Sequence, residues 1–120
     1  QSTAQDMEKM VEYVFKNHPE FLDISRQKNV ELKEIGTGRK RILKNMNEFA
    51  GEEDFLGGKT GFIDSSKGNL ISLFKYRGSV LAITVFGAEE RFKETTKILN
   101  WLKINYSVAS TEIQEEKIIL

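Results

Sequence analysis

The apolar residues near the start of the chain recur at the spacing of an amphipathic helix. Thr3 followed by Asp6 has the arrangement of a capping box, which predicts that the helix begins there. Pro19 predicts its end, because the residue before a proline disfavours the α region, and it suits the first turn of a short second helix over 20–24. The apolar face of the first helix is predicted to be Met7, Met10, Val11, Val14 and Phe15.

A polar stretch separates these helices from the most regular part of the chain. Alternation over 29–33 predicts a short strand, and the basic, glycine-containing segment 36–41 indicates a loop. The Asn-Met-Asn segment over 45–47 has turn chemistry, and 51–54 is a polar turn.

Three consecutive strands follow, and each is bounded by short turn segments. They are predicted over 55–63, 69–76 and 80–86. Strands joined by such short turns must run antiparallel. On the middle strand, alternation places Leu70, Ser72, Phe74 and Tyr76 on one face.

A last amphipathic helix is predicted over 89–103. Its inner face is expected to consist of Phe92, Thr95, Thr96, Leu99 and Leu102, flanked by Ile98 and Trp101. Phe92 and Trp101 are both expected in the core. These elements predict an α+β domain over 1–104 with an antiparallel sheet packed by helices. Residues 105–120 are expected to be a tail, or a linker to a further region.

Composition narrows the classes of function. The chain has 120 residues, with 18 basic and 18 acidic side chains, so its net charge provides no general attraction to nucleic acid or to an anionic membrane. It contains no cysteine and a single histidine, His18, and neither a metal site nor a cofactor site is expected. No apolar stretch approaches the roughly 18 residues that span a membrane.

The strongest chemical signal is the sequence Gly-Gly-Lys-Thr-Gly over 57–61. A phosphate-binding P-loop would need glycine at position 53, which is Glu53, and would need a helix to follow instead of a hairpin. On an edge strand, by contrast, Lys59 supplies a cation, Thr60 a hydroxyl, and Gly61 a bare backbone for a ligand peptide.

This motif is a more specific signal together with its neighbours, because further short motifs occur in a defined order on both sides of it. Upstream are Ser2-Thr3-Ala4 with Asp6, Asn17 to Phe21 around Pro19, and Asn45-Met46-Asn47. Downstream are Phe62, Gly68, Arg77-Gly78, Val85-Phe86-Gly87-Ala88, Arg91 and the segment 97–101 ending in Trp101. Together they resemble the D-alanyl-D-alanine carboxypeptidases, the low-molecular-mass penicillin-binding proteins, from residue 2 to about 103.

The resemblance implies a partial β-lactamase/transpeptidase-like fold and a serine acyl-enzyme mechanism acting on the terminal D-Ala of peptidoglycan stem peptides. Lys59 would tune the electrostatics, Thr60 would bind the substrate carboxylate beside Gly61, and the backbone N–H of Phe62 would donate to the oxyanion. Stem peptides and β-lactams are the implied partners, and the periplasm or cell envelope the implied location. Ile63 and Met46 depart from the residues usual in the family.

The family's nucleophile is absent from this sequence. Ser-x-x-Lys occurs only at Ser25 and Ser72, and neither is predicted to open a long helix. The resemblance therefore implies that the Ser-x-x-Lys and Ser-x-Asn motifs belong to a missing N-terminal half, and that these 120 residues alone are inactive. Two alternatives stay open: a non-catalytic peptide-binding or interaction module on the same fold, and a related β-lactamase or esterase.

The missing half has a further implication for the sheet. In the implied five-stranded antiparallel sheet, the strand over 80–86 pairs with a strand of the missing half. Alone, it would present an unpaired apolar edge, and such edges recruit other chains. We therefore expect the chain to pair with its other half or to self-associate through 80–86.

Overall fold

The computed structural model describes residues 1–106 and the backbone of 118–119. The helices are α1 (Ala4–Asn17), α2 (Pro19–Ser25) and α3 (Arg91–Asn105). The strands are β1 (Asn29–Lys33), β2 (Lys40–Lys44), β3 (Phe55–Ile63), β4 (Lys67–Tyr76), β5 (Ser79–Ala88) and β6 (Ile118–Ile119). None of the described helices is both long and apolar enough to cross a membrane.

The two N-terminal helices begin and end where local chemistry directs them. The predicted capping box is present: the Asp6 N–H donates to Thr3 Oγ1 at 3.1 Å, and the Thr3 N–H donates to Asp6 Oδ2 at 3.2 Å. α1 ends before His18, and Pro19 occupies the first turn of α2. In that turn, a backbone hydrogen bond and, to a smaller extent, the neighbouring His18 lower the pKa of the Glu20 carboxyl.

The main sheet has the order β3-β4-β5-β6, and its first three strands form the predicted antiparallel meander. Arg77 and Gly78, with φ of 50° and 82°, form the two-residue turn between β4 and β5. Positive φ at both central positions is the type I′ geometry that matches the twist of paired strands.

Helices and loops cover both faces of this sheet. One face packs against α3 and Phe49, and its core consists of Phe49, Phe55, Leu70, Phe74, Leu81, Ile83, Val85 and Leu102. The other face packs against α1 and α2, and its core consists of Val11, Leu22, Ile71, Leu73 and Ala82. This confirms the α+β class, and the architecture agrees with a partial transpeptidase-like fold.

Two sequence-based expectations about elements are wrong. Residues 40–41 lie in a strand instead of the predicted loop, because β2 pairs with β1 in a separate two-stranded sheet. On α3, Thr96 is exposed and Trp101 is 51% exposed. Trp101 packs on Tyr106 outside the core, with ring centroids 5.2 Å apart.

The edge of β5 also differs from expectation. β6 pairs in parallel with Leu81 and Ala82, so the prediction of a wholly unpaired edge is wrong at these two residues. The rest of the predicted tail, 107–117 and 120, lies outside the described residues.

Candidate functional site

The Lys59-Thr60-Gly61 motif lies on β3, which forms one edge of the main sheet. The inner edge of β3 pairs with β4, in the register Lys59↔Ile71, Thr60↔Leu70 and Gly61↔Asn69. Its outer edge pairs with no other strand of the described chain. Because side chains alternate between faces, Lys59 lies on the α1–α2 face with Ile71, and Thr60 lies on the α3 face with Leu70.

The outer edge of β3 presents backbone groups at alternate residues. The Gly58 N–H donates to Ser25 Oγ at 3.1 Å, so this N–H points away from β4 and toward the outer edge. The two-residue alternation of a strand therefore turns the N–H and C=O groups of Thr60 and Phe62 to the same outer edge. The Thr60 carbonyl there accepts a hydrogen bond from Lys59 Nζ.

Two of the glycines on β3 are required by packing. Gly57 has φ of +144°, and a Cβ there would lie 2.7 Å from Ser25 Oγ and 3.0 Å from Leu22 Cα, so α2 sits directly on the strand. A Cβ at Gly58 would lie 2.4 Å from the Ile71 carbonyl oxygen. At Gly61, by contrast, a Cβ would meet nothing closer than Asn69 Cβ at 3.9 Å, so packing within the chain does not demand a glycine.

The Asn45–Asn47 segment lies beside this strand. Asn45 Nδ2 donates to the carbonyls of Ser25 and Gln27, at 2.8 and 2.9 Å, and its Oδ1 accepts from the Asn47 N–H at 2.9 Å. These bonds fix the segment to the end of α2, across a groove of about 320 Å³ from 58–60. Asn47 is buried, and within the described residues its Nδ2 has no hydrogen-bond partner.

Three grooves meet at Lys59. Besides the groove shared with Asn45–Asn47, an apolar groove of about 390 Å³ runs between α1 and α2 and includes Met10 and Phe21. A smaller one of about 150 Å³ includes Gly61 and Phe86. Lys59 is exposed, and apart from the bond to the Thr60 carbonyl its ammonium group forms no ion pair with a carboxylate of the described chain.

The far end of β3 is held by Arg91 and Asn69. Arg91 Nη1 lies 3.5 Å from the Gly61 carbonyl oxygen, which links α3 to the sheet, and its guanidinium lies 5.0 Å from the Phe92 ring on the same helix. Asn69 Oδ1 accepts from the Gly87 N–H, and its Nδ2 donates to Ser66 Oγ. In the sequence, Asn69 is only the first residue of a predicted strand, and no signal there indicated this role.

The two serines with lysine three residues on have structural surroundings. Ser25 is the last residue of α2, and its Oγ donates to the Leu22 carbonyl at 3.2 Å while accepting from Gly58. Ser72 is fully buried in the middle of β4. Neither has the position at the start of a helix that the nucleophile of a Ser-x-x-Lys motif requires.

Comparison with known proteins adds one finding to this geometry. The sequence model of one protein family, described as D-alanyl-D-alanine carboxypeptidase, matches residues 1–90. The matched range runs from α1 to the end of β5 and includes both the Asn45–Asn47 segment and Lys59-Thr60-Gly61. A search of curated proteins finds no match to the chain.

Proposed function

Because the chain belongs to the D-alanyl-D-alanine carboxypeptidase family, we propose that it forms the carboxylate-binding part of a serine hydrolase acting on peptidoglycan. The reaction is hydrolysis of the terminal D-Ala of stem peptides through an acyl-enzyme. The observation that supports it most is the position of Lys59-Thr60-Gly61 on the outermost strand, where three grooves meet. Stem peptides lie outside the cytoplasm, so we place the protein in the periplasm or cell envelope.

Each residue of the strand has a separate role in this proposal. The Lys59 cation stabilises negative charge at the reacting centre, and the Thr60 hydroxyl donates to the terminal carboxylate of the substrate. Gly61 lets the peptide approach the backbone. The N–H of Phe62, on the outer edge by strand alternation, donates to the oxyanion of the tetrahedral intermediate. A β-lactam carboxylate would bind in the same way.

The nucleophile is supplied from outside these 120 residues. The acyl-enzyme needs a serine with an adjacent base at the start of a helix, and neither Ser25 nor Ser72 has that position. The chain alone therefore contributes substrate binding without covalent chemistry.

Carboxylate binding is tested by titrating the chain with a peptide ending in D-Ala-D-Ala, followed by NMR. We expect weak binding that perturbs the amide signals of 59–62, and roughly tenfold weaker binding by Thr60→Val, because one charge-assisted hydrogen bond is lost. A C-terminally amidated peptide should lose affinity similarly. Thr96→Val, on the exposed side of α3, is the matched control and should bind like the wild type. Perturbation elsewhere, or equal affinity of acid and amide, would contradict the assignment.

Covalent reaction is tested separately with a fluorescent penicillin and with an assay for released D-Ala. The chain alone is expected to show neither stable labelling nor D-Ala release. Labelling of the wild type that disappears in Ser25→Ala would place a nucleophile within the chain and overturn this part of the proposal.

A further inference from the structure

The ribbon formed by β1 and β2 concentrates positive charge in a chain whose net charge is zero. The ribbon, residues 29–44, contains five Lys or Arg and two Glu, a net charge of +3. Both acids already have partners: Glu31 pairs with Lys40 at 2.8 Å, and the Glu34 carboxylate accepts from Thr37 Oγ1 at 2.6 Å. The ribbon is therefore a local source of positive potential that the overall charge conceals.

The same ribbon exposes aliphatic side chains on both faces and at its tip. Ile35, in the loop between the strands, is 100% exposed. Leu32 and Leu43 are exposed on one face. Ile42 is exposed on the other face, where Glu31 is its cross-strand partner. β1 and β2 pair only with each other among the strands that the structure describes. Such a two-stranded ribbon with exposed aliphatics gains stability from a partner that covers it.

We propose that the β1–β2 ribbon docks on the surface of an anionic lipid bilayer. Its lysine and arginine side chains bind lipid phosphates, and Ile35 with the flanking aliphatics enters the headgroup region. A soluble polyanion would leave the aliphatics in water, and a protein surface would cover only one face. A lipid interface surrounds the tip on both faces. Insertion stays shallow, because no other described strand pairs with the outer edges of the ribbon, and hydrocarbon cannot satisfy the backbone groups there.

The test is co-sedimentation of the full chain with vesicles of phosphatidylcholine alone or mixed with phosphatidylglycerol. We expect binding only to the mixed vesicles, weakened by added salt. The triple variant Lys33→Gln, Arg39→Gln, Arg41→Gln should bind on the order of a hundredfold more weakly. Ile35→Ser should bind roughly tenfold more weakly, because it removes apolar burial without changing charge. All four side chains are exposed, and circular dichroism checks that each variant is folded.

A matched control removes three exposed cations from α3, in Lys93→Gln, Lys97→Gln, Lys103→Gln. The proposal expects this variant to bind within about threefold of the wild type, since only a general charge effect is lost. Equal weakening by the α3 variant, or failure of the wild type to bind the mixed vesicles, would overturn it. So would full competition by soluble polyphosphate combined with unchanged binding of Ile35→Ser, which would identify a general polyanion site.

Discussion

Gly58 and Gly61 lie three residues apart on β3, but their surroundings give them different requirements. A Cβ at position 58 would collide with the backbone of β4, because the Ile71 carbonyl oxygen would lie 2.4 Å away. A Cβ at position 61 would lie 3.9 Å from Asn69 Cβ, an ordinary contact distance. The first glycine is therefore needed for folding, and the second is available for a ligand.

This difference predicts opposite results for two alanine substitutions. Gly58→Ala should lower the free energy of unfolding by about 1–3 kcal/mol, because the strands must separate to admit the methyl group. Gly61→Ala should change it by no more than about 0.5 kcal/mol, while weakening binding of the D-Ala-D-Ala peptide. Urea unfolding and peptide titration of both variants provide the measurements. Comparable destabilisation by both substitutions would show that position 61 is packed as tightly as position 58.

Ser25 shows a role that the sequence could not reveal. Its Oγ accepts from the Gly58 N–H, 33 residues away along the chain, and so fixes α2 to the strand that carries Lys59. A local pattern contains no information about a partner at that distance, and the lysine three residues on drew attention to the wrong chemistry. The roles of Lys59 and Thr60, by contrast, could be proposed from the sequence, because their motif is contiguous.

The loss of this contact should be measurable. Ser25→Ala should destabilise the chain by about 1–2 kcal/mol, because the Gly58 N–H is left without its acceptor beside packed helix. Ser65→Ala, at an exposed position in the turn after β3, is the matched control and should stay within about 0.5 kcal/mol of the wild type in urea unfolding. If the two variants were equally stable, the Ser25 contact would contribute nothing to folding.

The sequence predicted the elements that local residues define, and it missed features that depend on pairing or packing between elements. The start of α1 follows from the Thr3 and Asp6 capping box, and the bounds of β3 follow from apolar residues between polar turns. β2 was missed because all five of its residues are exposed and its two apolar residues, Ile42 and Leu43, are adjacent instead of alternating with polar ones. Only pairing with β1 defines it. The exposure of Trp101 likewise depends on how α3 sits on the sheet, which helical periodicity does not specify.

The turn between β4 and β5 offers a prediction about hairpin geometry. Arg77 occupies φ of 50°, a conformation that asparagine tolerates better than arginine. Arg77→Asn should raise the free energy of unfolding by roughly 0.5 kcal/mol, and Arg77→Val should lower it by about 1 kcal/mol, because a β-branched side chain is strained there. Thermal and urea unfolding of the pair would test the turn type. Equal stability of the two variants would argue against a positive φ at this position.

The faces of the sheet are covered, but its edges and one helical surface remain open in the described chain. Among the described strands, the outer edge of β3 has no partner, and on β5 the pairing with β6 involves Leu81 and Ala82. Between α1 and α2, the apolar groove beside Lys59 exposes Met10 and Phe21. The described chain therefore retains exposed apolar area at these surfaces, and exposed apolar area favours association with another chain.

These open surfaces support the prediction that the chain self-associates through β5. Because β6 already pairs with Leu81 and Ala82, we expect the contact at the part of the edge beyond Ala82. Phe86, 44% exposed near the end of β5, provides the means to test it, because a lysine on an edge strand opposes pairing with another chain. Size-exclusion chromatography at rising concentration should show the wild type moving above the 13.8 kDa monomer. Phe86→Lys should remain monomeric. Trp101→Lys replaces a similarly exposed aromatic on α3 and should associate like the wild type. A wild type that stays monomeric throughout, or an equal loss of association in both variants, would remove β5 as the contact.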